Sequence, residues 1–588
     1  MKSRIRAGCR RLLPWLLLLC LTLSGCTVQT TEALSGWILT QEETYEKAEA
    51  AELQVTDALK LYSREEPEHI DTVYLAVAPG NEADGTDYTW TQINTVSLED
   101  QGERPYQCEG VFQLGDEEAP TEGAFGYGQL TANCVVRLQG VNASKRQQKS
   151  YRITIKDGMG SLDGMKSLVL SKSFTDPLRV TNMLCYRLME GIPSLLSTRT
   201  QLVHLYVKDT AEGADAPYRD YGLYTMVEPI NKSYFKDRNL DNDGAIYKAN
   251  NFDFARHEDA LKLTTERDYD AAAFEAILEV KGDQNHERLL SMLEAVNDPD
   301  IPIRQVIETY FDEDNLFGWL AFNLLTGNKE VSTQNFYLYS PTGSDRFYFI
   351  SWDCDGAFRD AYEEMRAPGQ SPEWNTGVFS LYDNVLFRRL LQDPHCISEL
   401  STAVDTLYEN YLTEEAVSAQ TELLTELVRD TVYSLPDRTF ARVTQQQYDE
   451  LASQVGQQVT ENFYRYYESL EKPAPFHIHE PQLSTEGLLL SWDEAACDKE
   501  VSYTVVLDNS WDFRMPLRKD ERTDTSWSIG TLPVGQYFLK VTANTADGQS
   551  QIAYESYSTE LKTTLYGVLC FYVLPDGSVH ASYFDRGD

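Results

Sequence analysis

Cysteine is scarce in this sequence, and its placement is irregular. The 588 residues include 10 cysteines, of which Cys9, Cys20 and Cys26 lie near the N-terminus. The other seven are odd in number, widely scattered and never arranged as C-x-x-C. This pattern argues against a disulfide scaffold and against a zinc site, although a single bridge between Cys108 and Cys134 stays open.

Positive charge is also scarce. The chain has 51 Lys and Arg against 92 Asp and Glu, which gives a formal net charge of −41. Nucleic acid and anionic lipid headgroups are therefore poor partners, whereas basic protein segments and divalent cations are better ones. A solvated acidic surface without a specific partner is the alternative. The sequence also lacks the Gly-x-Ser-x-Gly elbow of serine hydrolases, so that class has no support.

Long apolar runs are confined to the N-terminus. The basic stretch MKSRIRAGCRR precedes LLPWLLLLCLTL, and Leu23-Ser24-Gly25-Cys26 follows. This order is typical of a bacterial lipoprotein signal, and the run is too short for an ordinary membrane span. We expect residues 1–25 to be the signal peptide and Cys26 to carry lipid, with cleavage without lipidation as the alternative. The mature chain would be extracytoplasmic, would meet the membrane only through this anchor, and would have a charge of about −46 after loss of five cations.

The rest of the sequence predicts an α+β protein of several domains. Residues 26–64 would hold the lipidated cysteine, a tether and a Glu/Ala-rich helix over 38–62. Alternating apolar patterns predict a β-rich segment, with strands in DTVYLAVAP, YTWTQINTV, GVFQLG, NCVVRLQG and KSYRITI. Helical patterns then dominate over 176–190, 268–296, 302–327 and 386–470, with strands in QLVHLYVKD and GLYTMVE between them.

The C-terminal residues 476–588 follow a Pro473-Ala474-Pro475 linker and alternate as strands. They resemble an all-β fibronectin type III sandwich, in which Trp492 and Tyr537 would be core aromatics. The end of the chain predicts a hairpin around Pro575-Asp576-Gly577. Such a module serves as a spacer or a binding platform.

Carboxylates and amides gather in the segment from Leu324 to Phe358. NFYLY and RFYFISW predict two strands joined by the turn-rich SPTGSD, so Asn335 and Asp353 would meet at one edge of a hairpin. Glu330 lies just upstream, after a helix that ends near Gly327. Hard cations prefer such oxygen ligands, and a nearby carboxylate can accept a proton from an attacking hydroxyl. The alternative is a polar hairpin end with solvated acids.

Four motifs, which follow one another along the chain in the family's order, resemble the CotH (spore coat protein H) kinase family. The segment 324–358 resembles the family's Asn-x-Asp, with Glu330 where the Asp is expected, its Asn before a Tyr-rich strand, and its Trp-Asp-x-Asp. The residues placed there are Asn328, Glu330, Asn335, Trp352, Asp353 and Asp355. YGLYTMVEPI places Glu228, VRLQGVNASKRQQKSYRITI places Arg137, Gly140 and Lys149, and GAIYKA places Lys248. The resemblance covers roughly residues 65–470, and we assign residues 65–472 to this domain.

The resemblance implies an atypical, two-lobed protein-kinase-like core that transfers the γ-phosphoryl group of ATP to protein serine with Mg²⁺. Lys149 or Lys248, with Arg137, would bind nucleotide phosphates, and Glu228 would orient the lysine or join the metal shell. Asp353 and Asp355 would hold Mg²⁺, with Asn335 at a second metal or in the loop. A basic, serine-rich protein would be the substrate.

One position departs from the family pattern. Glu330 stands where the family has its catalytic Asp, and its carboxylate reaches about 1.5 Å further. A misplacement of about 1 Å can cost around a hundredfold in rate, although the charge and basicity are kept. ATP is also normally a cytoplasmic metabolite. The competing hypothesis is a catalytically weakened surface scaffold or adhesin that binds a surface protein without phosphoryl transfer.

Overall fold

The computed structural model describes residues 55–63, 68–102, 104–368, 372–485, 487–559 and 563–581. The predicted signal peptide, the lipidation site Cys26, the tether and most of the predicted 38–62 helix lie outside these residues. Thr56–Asp588 forms one compact unit, separate from Met1–Val55. Within the described part of the chain, no helix is long and apolar enough to span a bilayer.

Twenty-two strands lie within the described residues. They are β1 (Ile70–Ala78), β2 (Gln107–Gly115), β3 (Cys134–Leu138), β4 (Tyr151–Ile155), β5 (Ser167–Ser171), β6 (Thr200–Asp209), β7 (Arg219–Val227), β8 (Ala245–Ala249), β9 (Leu278–Val280), β10 (Phe336–Ser340), β11 (Tyr348–Ser351), β12 (Gln482–Ser484), β13 (Gly487–Ser491), β14 (Val501–Asp508), β15 (Arg518–Arg522), β16 (Ser526–Ser528), β17 (Gly535–Thr545), β18 (Ser550–Ile552), β19 (Ser556–Ser558), β20 (Thr564–Tyr566), β21 (Val568–Val573) and β22 (Val579–Ala581).

Thirteen α-helices lie in the same described ranges, together with short 3-10 turns. They are α1 (Trp90–Thr95), α2 (Val141–Ser144), α3 (Thr181–Met189), α4 (Lys232–Asp237), α5 (Ala271–Ile277), α6 (Glu287–Asn297), α7 (Ile303–Tyr310), α8 (Glu313–Thr326), α9 (Asp360–Arg366), α10 (Val385–Leu390), α11 (Pro394–Asn410), α12 (Glu414–Val432) and α13 (Gln445–Leu470). The model therefore confirms a mixed α+β chain with many C-terminal strands.

The β-rich segment closes into a seven-stranded barrel in the order β1-β2-β3-β4-β5-β7-β6. Its neighbours are antiparallel except for β1 and β6, which run parallel. Alternate residues such as Phe112, Val136 and Ile153 are fully buried inside it, as the period of two requires. The alternate residues of β3 and β4, which include Arg137 and Arg152, lie on the outer face of the barrel.

One strand predicted in the β-rich segment is wrong. YTWTQINTV forms helix α1 instead, because Thr89 and Gln92 make a capping box at its N-terminus. Its Trp90 and Ile93, three residues apart, share one helix face and join the barrel core. The alternating apolar residues predict a strand here, but the N-terminal capping box favours a helix.

A second sheet has the order β11-β10-β8-β9, and it includes the predicted hairpin of β10 and β11. Strand β9 interrupts the predicted 268–296 helix, because Leu278–Val280 pairs with β8. The predicted 302–327 helix is two helices, α7 and α8, and Asp312 caps the second by accepting from the Asn315 N–H. Trp319 of α8 stacks on Phe349 of β11 at 4.7 Å, which fixes the helix against the sheet.

The C-terminal strands form two main sheets that share one apolar core, in which Trp492, Tyr503 and Tyr537 are buried. The predicted closing hairpin is confirmed as β21 paired with β22. Trp374 lies 5.3 Å from Tyr554 between ring centroids, so the helical region packs directly on these strands. The predicted linker Pro473-Ala474-Pro475 is buried rather than exposed.

Candidate functional site

The C-terminus of helix α8 delivers the first part of the site. Gly327 ends the helix in the left-handed region, with φ of 63°, which glycine adopts readily. Asn328 follows and donates from Nδ2 to Asn323 Oδ1 at 3.0 Å, while its buried Oδ1 has no hydrogen-bond partner. A Cβ on Gly356 would lie 3.0 Å from both that oxygen and the Glu330 carboxyl carbon. The helix end and the later turn are therefore in close contact.

Both carboxylate oxygens of Glu330 are held. Asn335 donates from Nδ2 to Oε2 at 3.0 Å, and Arg359 Nη1 lies 3.4 Å from Oε1. Asn335 has φ of 63°, and its carbonyl accepts from the Trp352 N–H at 2.9 Å across the hairpin. The hairpin edge therefore brings Glu330 and Asn335 together with the acid pair, as the sequence predicts.

The acid pair lies in a strained turn that helix α3 supports. Asp353 has φ of 54°, which is uncommon for a residue with a side chain and is often associated with a functional site. Its N–H donates to Tyr186 Oη at 3.1 Å, and the next N–H, of Cys354, donates to Asn182 Oδ1 at 3.0 Å. Tyr186 and Asn182 lie one turn apart on α3, so the helix sets the direction of the turn.

The electrostatics of this pair are unfavourable without a cation. Burial and the Glu330 carboxylate raise the pKa of Asp353 to about 6, and Lys248 opposes the rise. Burial and the Asp353 and Glu330 carboxylates raise the pKa of Asp355 well above its ordinary value. The Asp355 Oδ2 accepts one hydrogen bond, from Thr175 Oγ1 at 2.9 Å. Three carboxylates in one place thus favour proton or cation binding.

Three cations from two sheets lie around Glu279, and one of them, Lys248, also acts on Asp353. Lys248 on β8 is paired in register with Tyr337 on one side and Glu279 on the other. Arg137 and Arg152 are register partners on the outer face of the barrel. Burial lowers the pKa of Lys248, Arg137 and Arg152, and the nearby Glu279 carboxylate opposes this in each case. These half-buried cations are suited to bind an anion.

Two other predicted residues have different surroundings. The Lys149 ammonium donates to the Ser144 carbonyl at 2.6 Å, within the loop between β3 and β4. The Glu228 carboxylate contacts Arg199 and, at 3.0 Å, Arg238. Burial raises the pKa of Glu228, but these two arginines outweigh it and hold the pKa below its ordinary value. The contacts of Glu228 are therefore with arginines, and its lysine-orienting role stays a prediction.

Sequence reasoning missed Arg152, Thr175, Glu279 and Arg359. Arg152 is recognisable only once β3 and β4 are paired, because it then lies beside Arg137. The sequence pattern places Glu279 in a helix, and the contacts of Arg359 with Glu330 and of Thr175 with Asp355 follow from no sequence spacing. The possible bridge between Cys108 and Cys134 is absent, since both are free thiols.

The donor chemistry fits Mg²⁺. Among the residues that the model describes, no three His, Cys, Asp or Glu side chains form a ready cage for a metal ion. Asp353 and Asp355 nevertheless present two carboxylates whose raised pKa values a divalent cation would reverse, and Asn328 adds an unpartnered amide oxygen. Mg²⁺ binds through one or two carboxylates together with water and phosphate oxygens.

Comparison with known proteins gives one strong match. A family model described as CotH kinase protein matches residues 136–470, more than half of the chain. No curated protein matches. A solved structure described as the Shewanella oneidensis MR-1 toxin–antitoxin system HipA, HipB and its operator DNA complex is similar at 11% identity. That match covers 61% of this chain and 76% of that chain, with a TM-score of 0.25, which is too low to support an argument.

Proposed function

Because the chain belongs to the CotH kinase family, we propose that it transfers the γ-phosphoryl group of ATP to serine hydroxyls of a protein. The observation that carries this proposal is the Asp353 and Asp355 pair, which lies next to Glu330 with raised pKa values. Such a cluster favours a divalent cation and a phosphate more than it favours a packed core.

In the proposed reaction the serine oxygen forms a bond to the γ-phosphorus, and the bond from that phosphorus to the β,γ-bridging oxygen breaks. ADP leaves, and the hydroxyl proton passes to the Glu330 carboxylate. Asn335 and Arg359 fix that carboxylate through one contact on each oxygen. Arg137, Arg152 and Lys248 would neutralise the nucleotide phosphates, and Lys149 is the alternative lysine.

Asp353 and Asp355 would hold Mg²⁺, with Asn335 as a further ligand or as a support for the loop. When bound, Mg²⁺ supplies positive charge that neutralises the phosphate oxygens. The two carboxylates therefore need to be ionised, and the Tyr186 and Asn182 contacts keep their turn in place for this. Glu228, through its contacts with Arg199 and Arg238, would stabilise the structure around the site.

A groove of about 970 Å³ supports a basic acceptor. It lies between α9 and α13, begins at Asp360 next to Arg359, and includes Tyr566 of the C-terminal strands. Five acidic side chains, Asp360, Glu363, Glu364, Glu450 and Glu461, line it against two basic ones, Arg366 and Arg465, so the lining has an excess of negative charge. A serine-rich segment with Lys or Arg side chains would be attracted to this surface.

The remaining parts of the proposal concern architecture and place. Residues 65–472 would be a two-lobed kinase-like domain, with the barrel in one lobe, and residues 476–588 a fibronectin type III-like sandwich. The apolar core shared by two C-terminal sheets supports the second assignment. The lipoprotein signal in residues 1–26 supports an extracytoplasmic protein anchored through Cys26.

The test is label transfer from γ-labelled ATP with Mg²⁺, using full-length protein in detergent. Asp353→Asn should abolish autophosphorylation and the thermal shift produced by Mg²⁺ and ATP together. Asp345→Asn, at the exposed turn of the same hairpin, is the matched control and should behave as wild type. Absence of both label and thermal shift in the wild type would reject the kinase.

A second candidate function is a non-catalytic scaffold or adhesin. The observation in its favour is the ion pair between Glu330 and Arg359. This pair engages the carboxylate that would have to accept the serine proton in a kinase. In that case the wild type would transfer no label, while binding of a basic surface protein would remain unchanged in Asp353→Asn.

A further inference from the structure

Phe174 is contacted by two arginines from distant parts of the chain. The guanidinium carbon of Arg442 lies 4.1 Å from the ring centroid, and that of Arg146 lies 5.3 Å from it. Arg442 also donates from Nε to the Phe174 carbonyl at 3.0 Å. We refer to Arg146, Phe174 and Arg442 as the Phe174 patch.

The two guanidiniums keep most of their hydrogen-bonding capacity. Arg146 and Arg442 are exposed, and within the described residues neither forms an ion pair with a carboxylate. The Nε bond of Arg442 is the one side-chain hydrogen bond that the pair makes in that part of the chain. Stacking on an aromatic ring holds a guanidinium flat while its N–H edge stays available. The patch therefore presents two cationic forks to solvent.

Buried contacts hold the patch in place. Arg179 donates from Nη1 to the Ser173 carbonyl at 2.9 Å and from Nη2 to the Phe440 carbonyl at 3.1 Å. It thus ties the segment before Phe174 to the segment before Arg442. The geometry of the patch is set before any ligand arrives, which reduces the entropic cost of binding.

The patch adjoins the acid pair. Thr175 follows Phe174 directly and donates to Asp355 at 2.9 Å. The cations Arg137, Arg152 and Lys248, in contrast, are half-buried around Glu279, and Lys248 is the one of the three that acts on Asp353. A nucleotide in the cleft would meet the half-buried group, whereas a polypeptide arriving from solvent would meet the exposed patch.

We propose that the Phe174 patch binds the phosphoryl group of a serine that is already phosphorylated, on the same acceptor polypeptide. A phosphoserine carries a charge of about −1.5 to −2 and three acceptor oxygens, which suit two guanidinium forks. The kinase would then be directed to unmodified serines near a product serine, so that serine-rich segments are modified in clusters. This inference rests on the proposed kinase function.

Binding without ATP tests the site separately from catalysis. Full-length protein in detergent is titrated with two fluorescent peptides of identical basic sequence, one with serine and one with phosphoserine at a single position. The wild type should bind the phosphopeptide about tenfold more tightly. Arg146→Gln, which removes no structural hydrogen bond, should reduce this preference, and Arg146→Gln with Arg442→Gln should abolish it. Arg514→Gln, an exposed arginine of the C-terminal region, is the control.

Two outcomes would overturn the proposal, and a third would separate it from the proposed kinase function. Equal binding of a peptide with glutamate in place of phosphoserine would indicate a general acid-binding surface. A raised KM for ATP in Arg146→Gln, with an unchanged peptide preference, would assign the patch to the nucleotide. Phosphopeptide preference without any label transfer would support the patch while rejecting the proposed kinase.

Discussion

Glu330 is one methylene longer than the Asp that the motif resemblance predicts at this position, and its surroundings accommodate the longer side chain. Asn335 and Arg359 each contact one of its oxygens. Glu330→Asp would withdraw the carboxylate by about 1.5 Å from both donors. We expect label transfer to fall by about tenfold to hundredfold, measured as kcat/KM for a peptide. An increase would show that the natural residue is misplaced.

Asp353 gives the site a dependence on pH. Its folded pKa of about 6 lies above the ordinary value of an Asp, so the native state binds more protons than the unfolded state between about pH 4 and 6. Stability is therefore lost as pH rises through that window. Asp353→Asn should raise the unfolding free energy by roughly 3 kcal/mol at pH 8 and leave it unchanged below pH 4.

Urea unfolding at these two pH values, with Asp345→Asn as the control, measures the effect. At pH 8 Mg²⁺ should raise the Tm of the wild type and leave that of Asp353→Asn unchanged. Equal stability of the two proteins at pH 8 would mean that Asp353 experiences no repulsion in the native state.

At the scale of elements, the hairpin was the most predictable part of the site. Two apolar, aromatic runs flank a turn-rich segment, so the positions of Asn335 and Asp353 at one edge follow from strand pairing alone. The left-handed backbone of both residues could not be predicted, because it depends on contacts such as that of Tyr186. Strand β9 was missed because its pairing with β8 overrode a helical apolar pattern. Helix α1 was missed because the capping box of Thr89 and Gln92 overrode a strand-like apolar pattern.

Glu228, at the end of β7, connects elements through a buried network. Arg238, fully buried, contacts Glu228 and also Asp57 at 3.0 Å. Glu228→Gln would leave a buried guanidinium with half of its charge partners, so we expect a loss of about 3–5 kcal/mol in unfolding free energy. Denaturant unfolding checks this. Unchanged stability with lost label transfer would instead support the catalytic role predicted from the sequence.

At the scale of the whole molecule, His477 links the C-terminal strands to the helical region. Its Nδ1 lies 3.0 Å from Glu555, and its Nε2 lies 3.9 Å from Asp383. The hydrogen bond to Glu555 raises the His477 pKa above its ordinary value. The stabilisation is therefore present below about pH 6.5 and is lost as pH rises through the folded pKa.

His477→Gln should lower the unfolding free energy by about 0.5 kcal/mol or less at pH 5.5 and leave it unchanged at pH 8.5, because the imidazole is half-exposed. Thermal unfolding at both values measures this, with His395→Gln, an exposed histidine of α11, as the control. An equal loss at both pH values would indicate packing rather than charge.

The sequence predicted the order of β-rich, helical and all-β regions, since each has its own apolar period. It did not predict that residues on both sides of Pro473-Ala474-Pro475 pack together. Trp374 contacts Tyr554 and Tyr566 through ring edges that no local pattern reveals. The proline-rich stretch marks the change from helices to strands, although the regions on its two sides pack against each other.

The Asp57–Arg238 ion pair also has a mechanical consequence. Asp57 accepts from the Ser197 N–H at 2.7 Å and from the Tyr62 hydroxyl at 2.6 Å, so the start of the compact unit is locked at a buried position. Tension applied through a tether that ends before Thr56 would enter the molecule there and pass to Arg238 and Glu228. Arg238 joins the carboxylates of Asp57 and Glu228, so buried, charge-assisted hydrogen bonds would carry that load.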